Sequence, residues 1–387
     1  AVRLAVFYGT LFGLVGTHLP FFPVWLKAVG IDASWIGIII AVPAVTRFTT
    51  LPFVTGLAEK RQTLRGAMIA TAFLTAIGFS IVGMFHAAIA VFAAYVFTAC
   101  VWTPMVPLTD GYALKGVARY GLNYGPLRLW GSAAFIVGAL ACGLLVDVIA
   151  AQHLIWVIAA MAAVGAVASL GLRPLDTPGA ARSASSGATA LLRKPGFLAI
   201  IVASALIQGS HAAYYAFASI TWQVSGFGGL TIAGLWALGV VAEIIVFALS
   251  PRFTVSPALL VMIGASSAVV RWLVTAQDPP IAILVAVQLM HGLTYGATLL
   301  GTIGLLIRNV SGHIAASAQG YLAACSGLIT SAASILSGAI YAQHGQGVYY
   351  VMAAMGAVGG LVIWLARHRL DAPRGPEDQP QSAASGG

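Results

Sequence analysis

Long apolar blocks, separated by short polar segments, run along the whole chain. Each block has about 18 or more residues, enough for a helix that crosses a hydrocarbon core about 30 Å thick. The blocks are continuous, whereas strands of a membrane β-barrel would alternate between apolar and polar residues. The pattern predicts an all-α membrane protein with twelve spans, at residues 4–27, 33–57, 64–85, 87–114, 124–148, 153–173, 197–222, 229–250, 256–276, 279–307, 313–342 and 346–367.

One longer polar segment divides these spans into two sets of six. We predict an N-terminal six-helix bundle at 1–173, a cytoplasmic linker loop at 174–196 and a C-terminal six-helix bundle at 197–368. Residues 369–387 are rich in Pro, Ser and Gly, so we expect a disordered cytoplasmic tail. Two pseudo-symmetric halves around a site near the membrane midplane are typical of secondary transporters.

Composition and charge agree with a membrane protein. The chain is 60% hydrophobic and 7% charged, with a net charge of +9. Fifteen of the 19 Lys and Arg residues fall at alternate ends of the predicted spans, which is the positive-inside signal. We therefore expect a multi-pass protein of the cell inner membrane with both termini cytoplasmic. The basic charge orients the chain in the lipid bilayer and requires no nucleic-acid partner.

Motifs for catalysis, metal binding or phosphate binding do not stand out in the sequence. The three cysteines all fall inside predicted spans, and no nucleophile–base arrangement, metal cluster or phosphate loop is visible. We therefore expect a protein that is not an enzyme and has no metal or cofactor. The absence of a phosphate loop also argues against ATP as the energy source, which favours a proton gradient.

An acid and a base flank the turn between the fourth and fifth spans. Asp110 lies about five residues before this turn and Arg128 about five after it, so both reach roughly 7 Å into the membrane. Charges at that depth are rare and usually mark a transport path. A structural salt bridge between the two helices is the alternative interpretation.

Polar residues also interrupt the second half. Gln208, His211 and Tyr215 are spaced by three and four in the seventh span, so they share one helix face and are predicted to line a cavity. A lone histidine in a membrane is more often a packed hydrogen-bond partner than a functional group. Its place on a polar stripe favours the functional interpretation here.

Glu243 lies in the middle of the eighth span with no polar residue within four positions. Such an acid must be protonated, paired or in contact with water, so it is the natural proton carrier. Arg271 and His291 in the next two spans are its candidate partners. In the first half, His18 and Arg47 are predicted to reach similar depths. The five buried charges then sum to one positive charge, which an anionic substrate would balance.

The chain resembles the phenylpropionate permeases, relatives of the lactose permease group in the major facilitator superfamily. The resemblance covers nearly all spans and rests on the segments Pro23-Val-Trp-Leu-Lys-Ala-Val-Gly30, Pro107-Leu-Thr-Asp110, Tyr124-Gly-Pro-Leu-Arg-Leu-Trp-Gly-Ser132, Gln208-Gly-Ser-His-Ala-Ala-Tyr-Tyr215, Leu238-Gly-Val-Val-Ala-Glu243, Val269-Val-Arg-Trp272 and Gln288-Leu-Met-His291.

This resemblance implies roles for the buried residues. Asp110 and Arg128 would bind the substrate, and Phe135, seven residues after the arginine, would stack on it. Glu243, Arg271 and His291 would couple proton movement to transport. Thr294 departs from the pattern, because the lactose permease group has an acid three residues after the histidine.

Together these observations predict a monomeric, proton-coupled symporter that imports a small aromatic carboxylate by alternating access. A sugar or nucleoside symporter on the same fold is the nearest alternative. The same pattern also fits an exporter of small organic molecules, or a sensor or lipid scramblase without transport activity.

Overall fold

The computed structural model describes residues 2–61, 63–121, 124–175, 188–311 and 314–371. Within these ranges the regular structure is helical throughout. The α-helices are α1 (Val2–Ala28), α2 (Ala33–Phe48), α3 (Thr50–Lys60), α4 (Leu64–Val82), α5 (Ala88–Trp102), α6 (Met105–Tyr120), α7 (Tyr124–Val146), α8 (Leu154–Leu170), α9 (Pro195–Gly209), α10 (Ala212–Val224), α11 (Gly229–Leu249), α12 (Pro257–Thr275), α13 (Ile281–Leu289), α14 (Thr298–Asn309), α15 (Ala315–His344) and α16 (Val348–Leu370). A π-helix, Gly292–Ala297, joins α13 to α14.

Ten helical stretches in the described residues are long and apolar enough to cross a membrane, or up to eleven if the bent pair α2 and α3 forms one span. One stretch, Ser317–Leu370, has 54 residues and contains most of α15 and all of α16, which Gly345 separates with a φ of 53°. Counting that stretch as two crossings gives about twelve. The all-α membrane fold predicted from the apolar blocks is confirmed.

Four predicted spans are interrupted near their middle. The breaks fall at Thr49, at Thr103, between Gly209 and Ala212, and at the π-helix. Proline accounts for the first two breaks, because Pro52 and Pro107 have no N–H group for the carbonyls of residues 48 and 103. Interruptions at membrane depth are tolerated where they are buried in protein or line a cavity. They therefore indicate where a site would lie.

The halves pack at the end of the bundle opposite the termini, where α1 ends and α2 begins; we call this end the distal face. Gly37 of α2 lies so close to Gly338 of α15 that a Cβ on Gly37 would be 2.8 Å from the Cα of Gly338. Near the same face, the Oδ1 atom of Asp147 accepts a hydrogen bond of 2.7 Å from the N–H group of Gly229, the first residue of α11. Small residues allow this close approach of helices.

At the opposite end, an arginine and a tyrosine side chain donate hydrogen bonds to the backbone carbonyls that follow α8. Arg65 donates from Nε to the Leu172 carbonyl at 2.6 Å, and the Tyr112 hydroxyl donates to the Arg173 carbonyl at 2.5 Å. Both carbonyls lie beyond Leu170, the last residue of α8, where no helical partner is available, so these donors stabilise the chain where it leaves the sixth span.

The domain boundaries remain predictions. Most of the predicted linker, residues 176–187, and most of the predicted tail, residues 372–387, lie outside the described residues. The described part of the linker contains a 3₁₀ helix, Ala188–Arg193, and α9 begins at Pro195, two residues before the predicted start of the seventh span.

Candidate functional site

A buried arginine organises the polar residues of the second half. Arg271 of α12 is 0% exposed. Its NH1 group donates to Nδ1 of His291 at 2.9 Å and to the Thr294 hydroxyl at 3.1 Å, while NH2 donates to Oε1 of Gln288 at 3.1 Å. The last turn of α13 and the break that follows it present all three acceptors. A cation removed from water requires such a set of acceptors to be stable.

Two aromatic rings complete the surroundings of this arginine. The guanidinium carbon lies 4.8 Å from the ring centroid of Tyr214 and 4.6 Å from that of Trp272, within the range of cation–π attraction. The Tyr214 hydroxyl also donates to Oε1 of Gln288 at 3.0 Å. These hydrogen-bond and ring partners of the guanidinium are all neutral in the geometry observed.

Glu243 of α11 lies on the far side of His291 from this arginine. Its Oε2 atom is 3.9 Å from Nε2 of His291, and the two side chains are 25% and 11% exposed. The acid is thus the most accessible member of the group formed by Glu243, His291 and Arg271, and the arginine is the least accessible. The predicted trio meets in space, with the histidine between the two charges.

His211 lies in the break between α9 and α10 and is completely buried. Its Nδ1 atom is 3.1 Å from the Gln208 carbonyl, and its Nε2 atom is 3.0 Å from the Thr294 hydroxyl. Tyr215 and Gln208, on the same helix face, are partly buried, and Gln208 donates from Nε2 to the Tyr295 carbonyl at 3.3 Å. Only Gln208 and Tyr215 of this stripe retain exposed surface.

In the first half, Asp110 of α6 is partly buried and its Oδ1 atom accepts a hydrogen bond of 2.5 Å from the Tyr8 hydroxyl of α1. The side chain of Arg128 lies outside the described residues, so its predicted pairing with Asp110 stays a prediction. Phe135 of α7 is buried, and the α7 backbone at this residue packs against Gly16 of α1.

His18 is buried as predicted, within a set of rings. Its Nε2 atom is 3.0 Å from the Tyr95 hydroxyl, and its ring centroid is 4.6 Å from that of Phe22 and 4.4 Å from that of Trp102. The prediction that Arg47 is buried was wrong, because the structure exposes this side chain in the last turn of α2. Depth counted along a sequence does not tell which way a helix face points. The sum of five buried charges therefore does not hold.

Sequence reasoning missed three participants: Tyr8, Gln288 and the role of Thr294 as a bonding partner. Gln288 is three residues before His291, and Thr294 is three residues after it, so helical spacing could have grouped them. Tyr8 carries no such signal, because its partner Asp110 is 102 residues away.

Broken helices around buried charges, in a bundle of two pseudo-symmetric six-helix halves, define a secondary transporter. The sequence model of the MFS_1 like family matches residues 1–352, and the chain belongs to this family. It is therefore a transporter of the major facilitator superfamily and not an enzyme, as predicted.

Three proteins with which the chain was compared match it over nearly its whole length. The chain is 33% identical over 363 residues to the "Probable 3-phenylpropionic acid transporter" of Escherichia coli strain K12, covering 90% of this chain and 93% of that protein. It is 26% identical over 384 residues to the maltose permease of Geobacillus stearothermophilus, covering 96% and 95%. The crystal structure of the nucleoside transporter NupG has a TM-score of 0.82 at 17% identity and covers 94% of this chain and 98% of that chain, which shows the shared fold.

Proposed function

We propose that this transporter is a proton-coupled symporter that imports a small aromatic carboxylate of the phenylpropionate type. The observation that carries the proposal is the full-length match, at 33% identity, to a probable 3-phenylpropionic acid transporter. The clusters around Asp110 in the first half and Arg271 in the second supply the polar groups that such transport requires.

The substrate contacts follow from the chemistry of an aromatic acid. Arg128 pairs with the carboxylate, because a guanidinium forms strong charge-assisted hydrogen bonds with a carboxylate at low dielectric. Asp110, which the Tyr8 hydroxyl already holds, balances this arginine when no substrate is bound. Phe135, Tyr215 and Gln208 provide ring and amide contacts.

Proton coupling is assigned to Glu243, Arg271 and His291. Glu243 takes the proton because it is the partly exposed acid, and its Oε2 atom is 3.9 Å from Nε2 of His291. When Glu243 is protonated, it carries no negative charge, and the three hydrogen-bond acceptors of Arg271 carry none either. A buried positive charge without a counter-ion favours an anion in the cavity, and this links proton binding to substrate binding.

Orientation and setting are part of the same proposal. The basic residues at alternate helix ends favour cytoplasmic termini in a bacterial-type inner membrane. We propose a monomer that works by alternating access, with the packed distal face on the external side. Transport assays in right-side-out and inverted vesicles distinguish import from export.

A sugar symporter is the second candidate, and the observation that favours it is the 26% identity to a maltose permease over 96% of the chain. In that case Asp110 and Arg128 would both form hydrogen bonds with hydroxyl groups. The substrate then carries no charge, and proton binding at Glu243 would not alter its electrostatic attraction to the cavity.

The test is uptake of labelled 3-phenylpropionate into proteoliposomes with and without an inward proton gradient, with aromatic acids, maltose and nucleosides as competitors. We expect gradient-driven accumulation, inhibited by aromatic acids and lost in Arg128→Ala and Glu243→Gln. The matched control is Arg119→Ala, which removes an exposed arginine at the end of the neighbouring helix α6. Competition by maltose alone would transfer the function to the sugar symporter.

A further inference from the structure

The hydrogen bonds around His211 determine where its proton lies. A carbonyl oxygen can only accept, so Nδ1 of His211 carries a hydrogen and donates it to the Gln208 carbonyl at 3.1 Å. In the neutral ring Nε2 is then the acceptor. The group at 3.0 Å from Nε2 is the Thr294 hydroxyl, which therefore donates its single hydrogen to His211.

This donation orients Thr294 toward the arginine. With its hydrogen on His211, the Thr294 hydroxyl has lone pairs left, and one accepts from NH1 of Arg271 at 3.1 Å. The Thr294 hydroxyl is also 3.4 Å from the His291 carbonyl, a longer and weaker contact that competes for the same hydrogen. The imidazole acceptor thus fixes the direction of the Thr294 hydrogen, away from the guanidinium, and leaves a lone pair facing Arg271.

The other hydrogen of NH1 determines the state of His291. Arg271 has no acceptor atom, so Nδ1 of His291, at 2.9 Å from NH1, accepts and carries no hydrogen. A neutral His291 then has its hydrogen on Nε2, the atom that faces Glu243 at 3.9 Å. A movement of about 1 Å brings this pair to hydrogen-bond distance.

We propose that His211 is a positioning residue for the proton-transfer pair Glu243 and His291, and not a substrate contact. Through the Thr294 hydroxyl it holds NH1 of Arg271 against Nδ1 of His291, which keeps the Nε2–H group of His291 directed at Glu243. This inference rests on the proposed proton coupling. It reassigns His211, which shares a helix face with Gln208 and Tyr215 but has no exposed surface.

Other titratable groups in the region do not take over this role. Within the part of the chain that the structure describes, the groups that face the ring of His211 or His291, or interact with Glu243, from the packed helices include Tyr214, Tyr215, Arg271 and Tyr295. The tyrosines contact the rings through their faces and edges, whereas Thr294 bonds to both His211 and the arginine. His211 also touches His291 directly, with ring centroids 5.4 Å apart, but its hydrogen-bonded link to the proton-transfer pair runs through the Thr294 hydroxyl.

The first half contains an apolar counterpart that serves as a control. The two halves correspond at a constant offset of 193 in residue number. This offset pairs His18 with His211 and Phe22 with Tyr215. It also relates Gly78 to Arg271. His18 therefore has the same place in its half, with rings around it and a tyrosine hydroxyl at 3.0 Å, but a glycine occupies the position of the arginine.

The experiment measures the pH profile of proton-driven uptake, together with KM and the competition panel, in Thr294→Val, Thr294→Ser, His211→Leu and His211→Gln. Val has the shape of Thr without the hydroxyl, and Gln places an acceptor near the position of Nε2. We expect Thr294→Val and His211→Leu to lower the maximal rate about tenfold and to shift the pH profile, the effect of losing one hydrogen bond to a charged group. Thr294→Ser and His211→Gln restore the profile. His18→Leu, the control, leaves it unchanged.

A second measurement does not depend on the substrate. Nitrogen-15 NMR of the histidine rings in purified protein separates protonated from unprotonated nitrogens. We expect neutral His211 with its hydrogen on Nδ1 and neutral His291 with its hydrogen on Nε2, and we expect Thr294→Val to disturb both signals. If the wild-type protein shows no gradient-driven uptake, the proposed function fails, and the NMR result still tests the bonding pattern.

Two results would overturn the inference. One is a change of KM or of competitor preference in His211→Leu with the wild-type pH profile, which would return His211 to the substrate site. The other is an NMR spectrum in which His211 carries its hydrogen on Nε2, or in which Thr294→Val leaves the signals of both histidines unchanged.

Discussion

The contact between Gly37 and Gly338 at the distal face allows a direct test of alternating access. A Cβ added to Gly37 would lie 2.5 Å from the Ser334 carbonyl oxygen and 2.8 Å from the Cα of Gly338. Ordinary contact begins near 3.4 Å, so Gly37→Ala is about 0.9 Å short of the room it needs. The opposing atoms belong to the backbone and cannot rotate away. The helices α2 and α15 must separate to accept the methyl group.

The magnitude follows from the cost of overpacking. Inserting a methyl group into a tightly packed contact costs about 1–3 kcal/mol. This cost applies only while the distal face is closed, so the variant favours the conformation in which that face is open. A shift of about 1–3 kcal/mol corresponds to roughly a 5- to 150-fold change in the ratio of the two states.

The assay is the labelling rate of a cysteine introduced at Ser334, which is 2% exposed in the closed face. The three native cysteines are first replaced by alanine, and an impermeant maleimide is applied from the distal side. We expect Gly37→Ala to increase the rate in proportion to the population shift. The matched control is Gly234→Ala, also within a helix, where an added Cβ meets nothing within 4 Å. Equal labelling rates in the two variants would refute the argument that this contact closes the face.

Three other changes probe different parts of the molecule. Asp147→Ala removes an acceptor at the start of α11. It should raise the ratio of the open to the closed distal face about fivefold, measured by the same cysteine labelling rate, because an exposed charge at a helix N-terminus contributes about 1 kcal/mol. Tyr8→Phe removes the hydroxyl that donates to Asp110 and should lower the uptake rate about tenfold, from a loss of about 1.5 kcal/mol. Trp272→Phe loses a 2.9 Å bond to Ser210 and ring volume, and should lower the free energy of unfolding by about 2 kcal/mol, measured by thermal unfolding in detergent.

Each of these changes has a control. Asp147→Glu keeps a charged acceptor near α11 and should label more slowly than the alanine variant. Tyr120→Phe and Trp364→Phe alter exposed side chains and should leave uptake and unfolding at the wild-type values. Wild-type labelling in Asp147→Ala, or wild-type uptake in Tyr8→Phe, would contradict the role given to the respective hydrogen bond.

The candidate site was partly predictable, and the reason is physical. A charge in an apolar block is conspicuous because burying it is unfavourable, so Glu243, Arg271 and His291 could be selected from the sequence alone. Helical rise also placed Glu243 and His291 at the same depth, and their side chains do lie 3.9 Å apart. The same counting failed for Arg47, because depth does not determine the direction in which a side chain points.

The neutral partners could not be selected in this way. Thr294, Gln288 and Tyr8 carry no formal charge, so they are less conspicuous in an apolar block than a buried acid or base. Helical spacing from His291 is a signal for Gln288 and Thr294, but no such signal exists for Tyr8. Tyr8 meets Asp110 across 102 residues, and His211 meets Thr294 across 83. Such contacts depend on which helix faces pack together.

The sequence by itself determined that this chain crosses a membrane many times, that its helices form two halves, and where its buried charges lie along each helix. Those properties depend on local composition, because transfer of an apolar block into lipid needs no partner. Only the tertiary structure decided where the seventh and tenth spans break, that His211 is sealed inside the second half, and that His291 stands between Arg271 and Glu243. Those properties depend on distant backbone and side-chain groups, whose hydrogen bonds form only when the helices are packed.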